Sequence, residues 1–227
     1  MGADWPAVIS KIEPLCFRVH AGDCLGTAFA IGVSGNDGGR HTIMATALHV
    51  VEGVLGNDKP IELIRSDGSI ISKCAAGPLV IFPVGHPECD SALIMVPTRE
   101  PLLEPEQLCA MPLETMAARG TAVGWLGYPG FVYPELCFFQ GSISGYLERP
   151  PVYLIDGVAI NGVSGGPAFD ESGLIVGLVS AYLPNEIDSS RTLPGLMIAT
   201  SMNLIRFWMQ EMLGAKVRMR ETPGEKH

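Results

Sequence analysis

The chain is short of basic residues. Lys and Arg total 15 against 24 Asp and Glu, giving a net charge of −9 over 227 residues. A duplex-binding surface needs clustered cations, so nucleic acid is not an expected partner. Charged residues of both signs make up only 17% of the chain, while hydrophobic residues make up 47%. That balance excludes a disordered chain. No apolar run approaches the ~18 residues a membrane-spanning helix needs, so no membrane partner is expected. The six cysteines contain no Cys-x-x-Cys pair. His86 and Cys89 are close enough to share a metal, but no second close pair supports them. The cysteines therefore read as small buried apolar residues, and no metal is expected. The start, MGADWPAVISKIEP, lacks the basic and then apolar order of a signal peptide. Pro6 stands where the myristoylation pattern wants Ser or Thr. The default compartment is the cytoplasm with reduced thiols, with secretion lacking a standard signal left open. There is no short-period repeat.

Glycine and proline, 27 and 18 residues, are about a fifth of the chain. Such a content favours many turns between short strands over a helical bundle. Apolar strand-like runs cover Leu15 to His20, Leu25 to Val33, Thr42 to Leu48, Ile61 to Arg65, Ile70 to Phe82 and Ser91 to Val96. The Gly-rich stretch Ser34 to Arg40 and the pair Asp67-Gly68 read as turns. His49 to Leu55 reads as a short helical turn. The stretch 101–120 is proline-rich and acidic and does not alternate, which marks a linker between two halves. The second half repeats the strand style over Thr121 to Leu126, Leu136 to Leu147, Val152 to Asp156, Gly173 to Ala181 and Leu196 to Thr200. Leu204, Ile205, Trp208, Met212 and Leu213 recur at helical spacing, so residues 201–213 read as one helix. The tail 214–227 is polar and expected to fray. Two small β-barrels or sandwiches, 1–100 and 121–200, followed by a helix are the expected architecture.

The sharpest chemical signal is Gly162-Val163-Ser164-Gly165-Gly166-Pro167. Glycines around a serine allow a tight turn, an exposed hydroxyl and adjacent N–H groups aimed at one developing oxyanion. The run also fits the Gly-x-Ser-x-Gly elbow of α/β-hydrolases, but that fold needs a histidine after the serine. Only His227, in the polar tail, follows Ser164, so the elbow reading fails on order. A serine nucleophile needs a base. His49 follows an apolar strand and suits the role, whereas His41 follows a Gly-rich turn and reads as solvated, and His20 reads as a strand end. Asp90, at the mouth of the apolar run Ser91 to Val96, is placed to orient the base. Asp58 and Asp67 sit in polar turns and suit it less.

The order His49, Asp90, Ser164, with gaps of 41 and 74 residues, resembles the trypsin/chymotrypsin-like serine proteases. Thr46-Ala47-Leu48-His49 resembles that family's Thr-Ala-x-His, and Asp90-Ser91-Ala92-Leu93 its Asp-x-Ala-Leu. The glycine-serine run resembles its Gly-x-Ser-Gly-Gly-Pro. Gly26-Thr27-Ala28-Phe29 is similar to its second-strand motif. Gly127-Tyr128-Pro129-Gly130 and Ala159-Ile160-Asn161 are similar to the bacterial Deg/HtrA-like branch; that branch carries a PDZ domain at this end, and with 14 residues after Leu213 none is expected here. The resemblance implies an all-β fold of two six-stranded antiparallel barrels with a C-terminal helix. It implies a serine endopeptidase with His49 as base, Asp90 as orienting acid, Ser164 as nucleophile, and the N–H groups of Gly162 and Ser164 as oxyanion hole. No cofactor is implied. Val158 falls at the pocket floor, Val179, Ser180, Ala181 and Tyr182 on the strand that pairs with substrate, and Gly195 on the opposite wall. An apolar residue before the scissile bond is therefore expected, with Tyr182 narrowing the mouth. The implied partners are a protein or peptide substrate and, given the hazard of indiscriminate cleavage, a regulatory protein. No cleavage site of the zymogen type is evident. The alternatives are a catalytically silent peptide- or protein-binding module on the same fold, and a cysteine–histidine metal module.

Overall fold

Apolar runs rich in valine and isoleucine recur through the first half of the chain, and its structure turns those runs into strands. The computed structural model describes residues 3–36, 39–55, 60–71, 79–84, 89–98, 102–103, 107–108, 116–132, 134–188, 191–213 and 217–218. The first half forms β1 (Cys16–Ala21), β2 (Cys24–Asn36), β3 (Gly39–Thr46), β4 (Ile61–Ile64), β5 (Val80–Pro83) and β6 (Ala92–Thr98). These pair antiparallel in the order β4-β1-β2-β3-β6-β5. Among the described residues β4 and β5 do not pair, so this sheet stays open as a half-barrel. The second half forms β7 (Ala122–Gly127), β8 (Cys137–Glu148), β9 (Pro151–Asp156), β10 (Pro167–Asp170), β11 (Ile175–Asp188) and β12 (Arg191–Ser201). They close into a barrel in the order β10-β11-β12-β9-β8-β7. The strand β10, four residues long and starting directly after Gly166, escapes the sequence reading because it is short and begins on a proline.

Apolar side chains on these strands fill two cores. Phe17, Phe29, Ile43, Met44, Leu63 and Leu93 are fully buried in the first. Trp125, Tyr153, Ile155, Val163, Val176 and Val179 fill the second. His41, expected to be solvated, is half-buried on β3 opposite Ser34 and Pro97. Most of the 101–120 linker lies outside the described residues. Leu103 and Leu108 within it are buried in the first core.

Three α-helices stand beside the strands among the described residues. The first, α1 (Trp5–Ile12), is absent from the strand-dominated sequence reading. Asp4 caps it by accepting from Ala7 N–H at 3.2 Å, and Pro6 occupies its first turn, where no N–H is needed. Its Val8 and Ile12 are buried one turn apart. Trp5 packs against Phe138 of β8 and Phe169 of β10, with ring centroids 5.4 and 6.1 Å away. A helix that leads directly into β1 of the first sheet is thus anchored on the second barrel. Trp5→Ala is expected to cost roughly 2 kcal/mol, below the 3–5 kcal/mol of a fully buried aromatic. A thermal melt should show Tm lower by about 4–8 °C.

The second helix, α2 (Leu48–Val51), is the expected short turn after β3. The third, α3 (Met202–Leu213), matches the expected helix. Its fully buried residues are Met202, Ile205 and Met209, while Leu204 and Trp208 are half-buried. Among the described residues no helix is long and apolar enough to cross a membrane.

The tail is not wholly frayed. Val217–Arg218 forms a two-residue strand, β13, paired with Ser34 and Val33 of β2. Pairing of β1 with β2 ends at Cys16↔Phe29, so the outer edge of β2 beyond Phe29 is left open. Unpaired N–H and C=O groups on such an edge are a template for another strand.

Candidate active site

The register between β3 and β6 explains how two residues 41 apart in sequence come together. Thr46, the last residue of β3, lies opposite Ala92, the first of β6. His49 follows three residues after that pair and Asp90 precedes it by two, so both sit at one corner of the sheet. The Asp90 carboxylate holds His49 at two points. His49 Nδ1–H donates to Asp90 Oδ2 at 2.5 Å, and His49 N–H donates to Asp90 Oδ1 at 2.8 Å. An ionised carboxylate only accepts, so Nδ1 must carry the proton. The neutral ring then leaves Nε2 as an acceptor, without a hydrogen-bond partner among the described residues. The hydrogen bond to Asp90 raises the imidazole pKa above its ordinary 6.5, and the charges of Asp90 and Glu52 add to this against the opposing effect of burial.

Ser164 lies half-buried in the loop between β9 and β10. Two glycines there have left-handed backbones, Gly162 at φ +96 and Gly165 at φ +88. Close approach also demands glycine at 165, because a Cβ there would sit 2.0 Å from Thr27 O. Between the glycines, Val163 is fully buried in the second core and pins the loop to the barrel. The N–H groups of Val163, Gly165 and Gly166 donate to Ile160 O, Val179 O and Val163 O. Among the described residues, the N–H groups of Gly162 and Ser164 make no hydrogen bond. Nor does any hydrogen bond join Ser164 Oγ to His49.

Thr27 is a residue that sequence reasoning saw only as part of a strand motif. It is fully buried on β2, and its N–H donates to Ser164 O at 2.8 Å. Its hydroxyl donates to Gly162 O at 2.8 Å and accepts from Tyr128 N–H at 3.0 Å. The sequence signal was a hydroxyl residue inside an otherwise apolar run.

Of the remaining expected site residues, Val158 is 47% exposed in the loop after β9. Val179 is buried, and its backbone exchanges hydrogen bonds with Gly165 and Gly166. Ser180 is buried and donates to Ile198 O at 3.3 Å, and Ala181 is exposed. Tyr182 pairs with Met197 across β11 and β12, and Gly195 lies on β12. The Tyr182 side chain lies outside the described residues. So does His86 of the metal reading; Cys89 is a buried thiol. Among the described residues no cluster of three metal-binding side chains forms.

The model of the trypsin-like peptidase domain matches residues 26–178, about two thirds of the chain. The chain belongs to the trypsin-like peptidase family. It is by that membership a serine endopeptidase, a hydrolase acting on protein or peptide substrates. Solved structures share the fold of this trypsin-like peptidase. A serine endoprotease from Yersinia pestis superposes with TM-score 0.67 at 18% identity, over 95% of this chain and 68% of that one. The Rv3671c protease of M. tuberculosis, in an inactive form, gives 0.64 at 18% over 95% and 97%. The HtrA-type protease AlgW with a tripeptide gives 0.65 at 20% over 92% and 64%. At such identities the likeness of this peptidase to them is one of fold. No curated protein matches it.

Proposed function

We propose that this peptidase hydrolyses peptide bonds through Ser164, His49 and Asp90. The observation that carries the proposal is the double hold of Asp90 on His49, which leaves Nε2 as a free acceptor. Ser164 Oγ attacks the scissile carbonyl as His49 Nε2 takes its proton. His49 then returns the proton to the leaving amine, and Asp90 stabilises the imidazolium between the two transfers. The uncommitted N–H groups of Gly162 and Ser164 receive the oxyanion. Losing one such donor costs about 2.7–4 kcal/mol of barrier. Water attacks the acyl-enzyme by the same route. An apolar residue before the cut is proposed from Val158 at the pocket floor, because an unpaired substrate charge there would be costly to desolvate. Action in the cytoplasm under control of a regulatory protein completes the proposal.

A second reading is favoured by the missing Ser164–His49 hydrogen bond: a silent module that binds peptides without cutting them. Catalytic hydrogen bonds are often long in unliganded sites and tighten with substrate, so this favours it only weakly. Labelling with a fluorophosphonate probe separates the two. Wild type should label, and Ser164→Ala and His49→Ala should not. No labelling of any form would support the silent module, and equal labelling of Ser164→Ala would move the nucleophile elsewhere.

The raised His49 pKa gives a pH prediction. The base works only when neutral, so kcat/KM should fall with decreasing pH through a pKa above 6.5. Glu52 raises that pKa, so Glu52→Gln should shift the acid limb to lower pH. The stability effect has the opposite sense. A folded pKa raised above the unfolded value stabilises fully below pH about 6.5, and that contribution is lost as pH rises through the folded pKa. A pH–rate profile and melts across the same range check both.

A further inference from the structure

The two N–H groups proposed to bind the oxyanion have their directions set by neighbouring carbonyls. A trans peptide is planar, so each N–H points opposite to the C=O of the preceding residue. Asn161 C=O accepts from Gly130 N–H at 2.9 Å, which turns Gly162 N–H the other way. Val163 C=O accepts from Gly166 N–H at 2.9 Å, which turns Ser164 N–H away likewise. The next carbonyl after each free N–H is gripped by one residue. Gly162 C=O accepts from the Thr27 hydroxyl, and Ser164 C=O accepts from Thr27 N–H.

Every polar atom of Thr27 is engaged in this region. Its own carbonyl accepts from Thr46 Oγ1 at 2.7 Å, three residues before His49. Its hydroxyl also accepts from Tyr128 N–H, two residues before the Gly130 N–H that holds Asn161. Pairing of β2 with β3 begins at Ala28↔Thr46, so the Thr27 N–H is left to Ser164. Gly162 is the residue best able to swing, since glycine crosses between backbone regions at little steric cost. Three hydrogen bonds oppose that rotation: the Thr27 hydroxyl on Gly162 C=O, Val163 N–H of the same peptide on Ile160 O, and the Gly130 latch on Asn161 C=O.

We propose that Thr27 is a positioning residue of the peptidase, whose buried hydroxyl on the first sheet holds the Gly162 carbonyl and so keeps the oxyanion-binding N–H groups of the second barrel pointed at the substrate. This rests on the assignment of Gly162 and Ser164 as the oxyanion hole. Thr27 touches no reacting atom and acts through the loop. Removing its hydroxyl leaves Gly162 C=O and Tyr128 N–H buried without partners. Rotation of the loop relieves the Gly162 carbonyl and withdraws the Gly162 donor.

Thr27→Val, which keeps the shape and removes the hydroxyl, and Thr27→Ser, which keeps the hydroxyl and removes the methyl, test this. Both are compared with wild type by fluorophosphonate labelling rate and by kcat and KM on an apolar peptide substrate, with thermal melts alongside. Thr27→Val should lower kcat by about 10²–10³-fold, the loss of one oxyanion donor, with KM within threefold. Thr27→Ser should stay within about fivefold of wild type in kcat. A Val variant with near wild-type kcat, a loss confined to KM, or a Ser variant as impaired as the Val variant would each overturn the proposal. If Thr27→Val does not fold, Thr27→Ala takes its place with the same expected fall in kcat. If neither folds, the hydroxyl serves the fold rather than the loop, and the proposal fails. Wild type that does not label at all would overturn the underlying catalytic assignment and this proposal with it. Wild type and Thr27→Val labelling at equal rates would overturn this proposal alone.

Discussion

Ser164→Ala is expected to lower kcat roughly a million-fold while leaving KM and the fold nearly unchanged. The size follows from serine proteases in which loss of the nucleophile alone costs about as much as loss of the whole triad. The sparing of the fold follows from geometry. What ties Ser164 to the first sheet is its carbonyl, which accepts from Thr27 N–H, and the substitution keeps that group. The hydroxyl is half-buried and makes no hydrogen bond among the described residues, so its removal should cost within about 0.5 kcal/mol. Steady-state kinetics on a cleavable peptide and a thermal melt measure both. A variant that keeps one per cent of wild-type kcat would mean that another group attacks the carbonyl.

Asp90→Asn should follow with a loss in kcat of about 10⁴-fold. Asp90 Oδ1 accepts from His49 N–H, and an asparagine keeps that bond only by placing its oxygen there. The amide NH₂ then faces His49 Nδ1, where a carboxylate oxygen had accepted a proton. Nδ1 becomes the acceptor, the proton moves to Nε2, and the base is lost by tautomer rather than by displacement. The variant carries a second signature. The hydrogen bond and charge of Asp90 both raise the His49 pKa, so the acid limb of its residual activity should move to lower pH. Stability should change unequally with pH as well, with the larger loss at acid pH where protonated His49 would face no carboxylate. A rate within tenfold of wild type, with an unmoved pH profile, would show that His49 does not depend on Asp90.

The residues of the proposed site were singled out from the sequence alone. Ser164 stood out because glycines flank it and permit a tight turn that exposes its hydroxyl. His49 and Asp90 stood out because each adjoins an apolar run, and strand ends gather at the rims of sheets. The strand runs carried the β architecture for a similar reason, since Val, Ile and Phe patterns follow directly from burial. Less visible was α1. Its eight residues bury Val8 and Ile12 and present Trp5 to Phe138 and Phe169, a spacing too brief to outweigh the strands that follow. β13 was invisible for a different cause. Nothing in Val217 and Arg218 announces a strand; the open edge of β2 recruits them.

What the sequence by itself determined was the order and spacing of the groups proposed to react, the glycine-rich turn around Ser164 and the β character of both halves. These depend on residue type and local spacing, which a linear string carries in full. What only the tertiary structure decided was which groups meet. The β3–β6 register brings Asp90 under His49, and the close approach of β2 to the nucleophile loop gives Thr27 its four polar partners. Both depend on pairings between residues as many as 135 positions apart. Such pairings arise from the simultaneous satisfaction of backbone groups across two cores, and no local pattern encodes that.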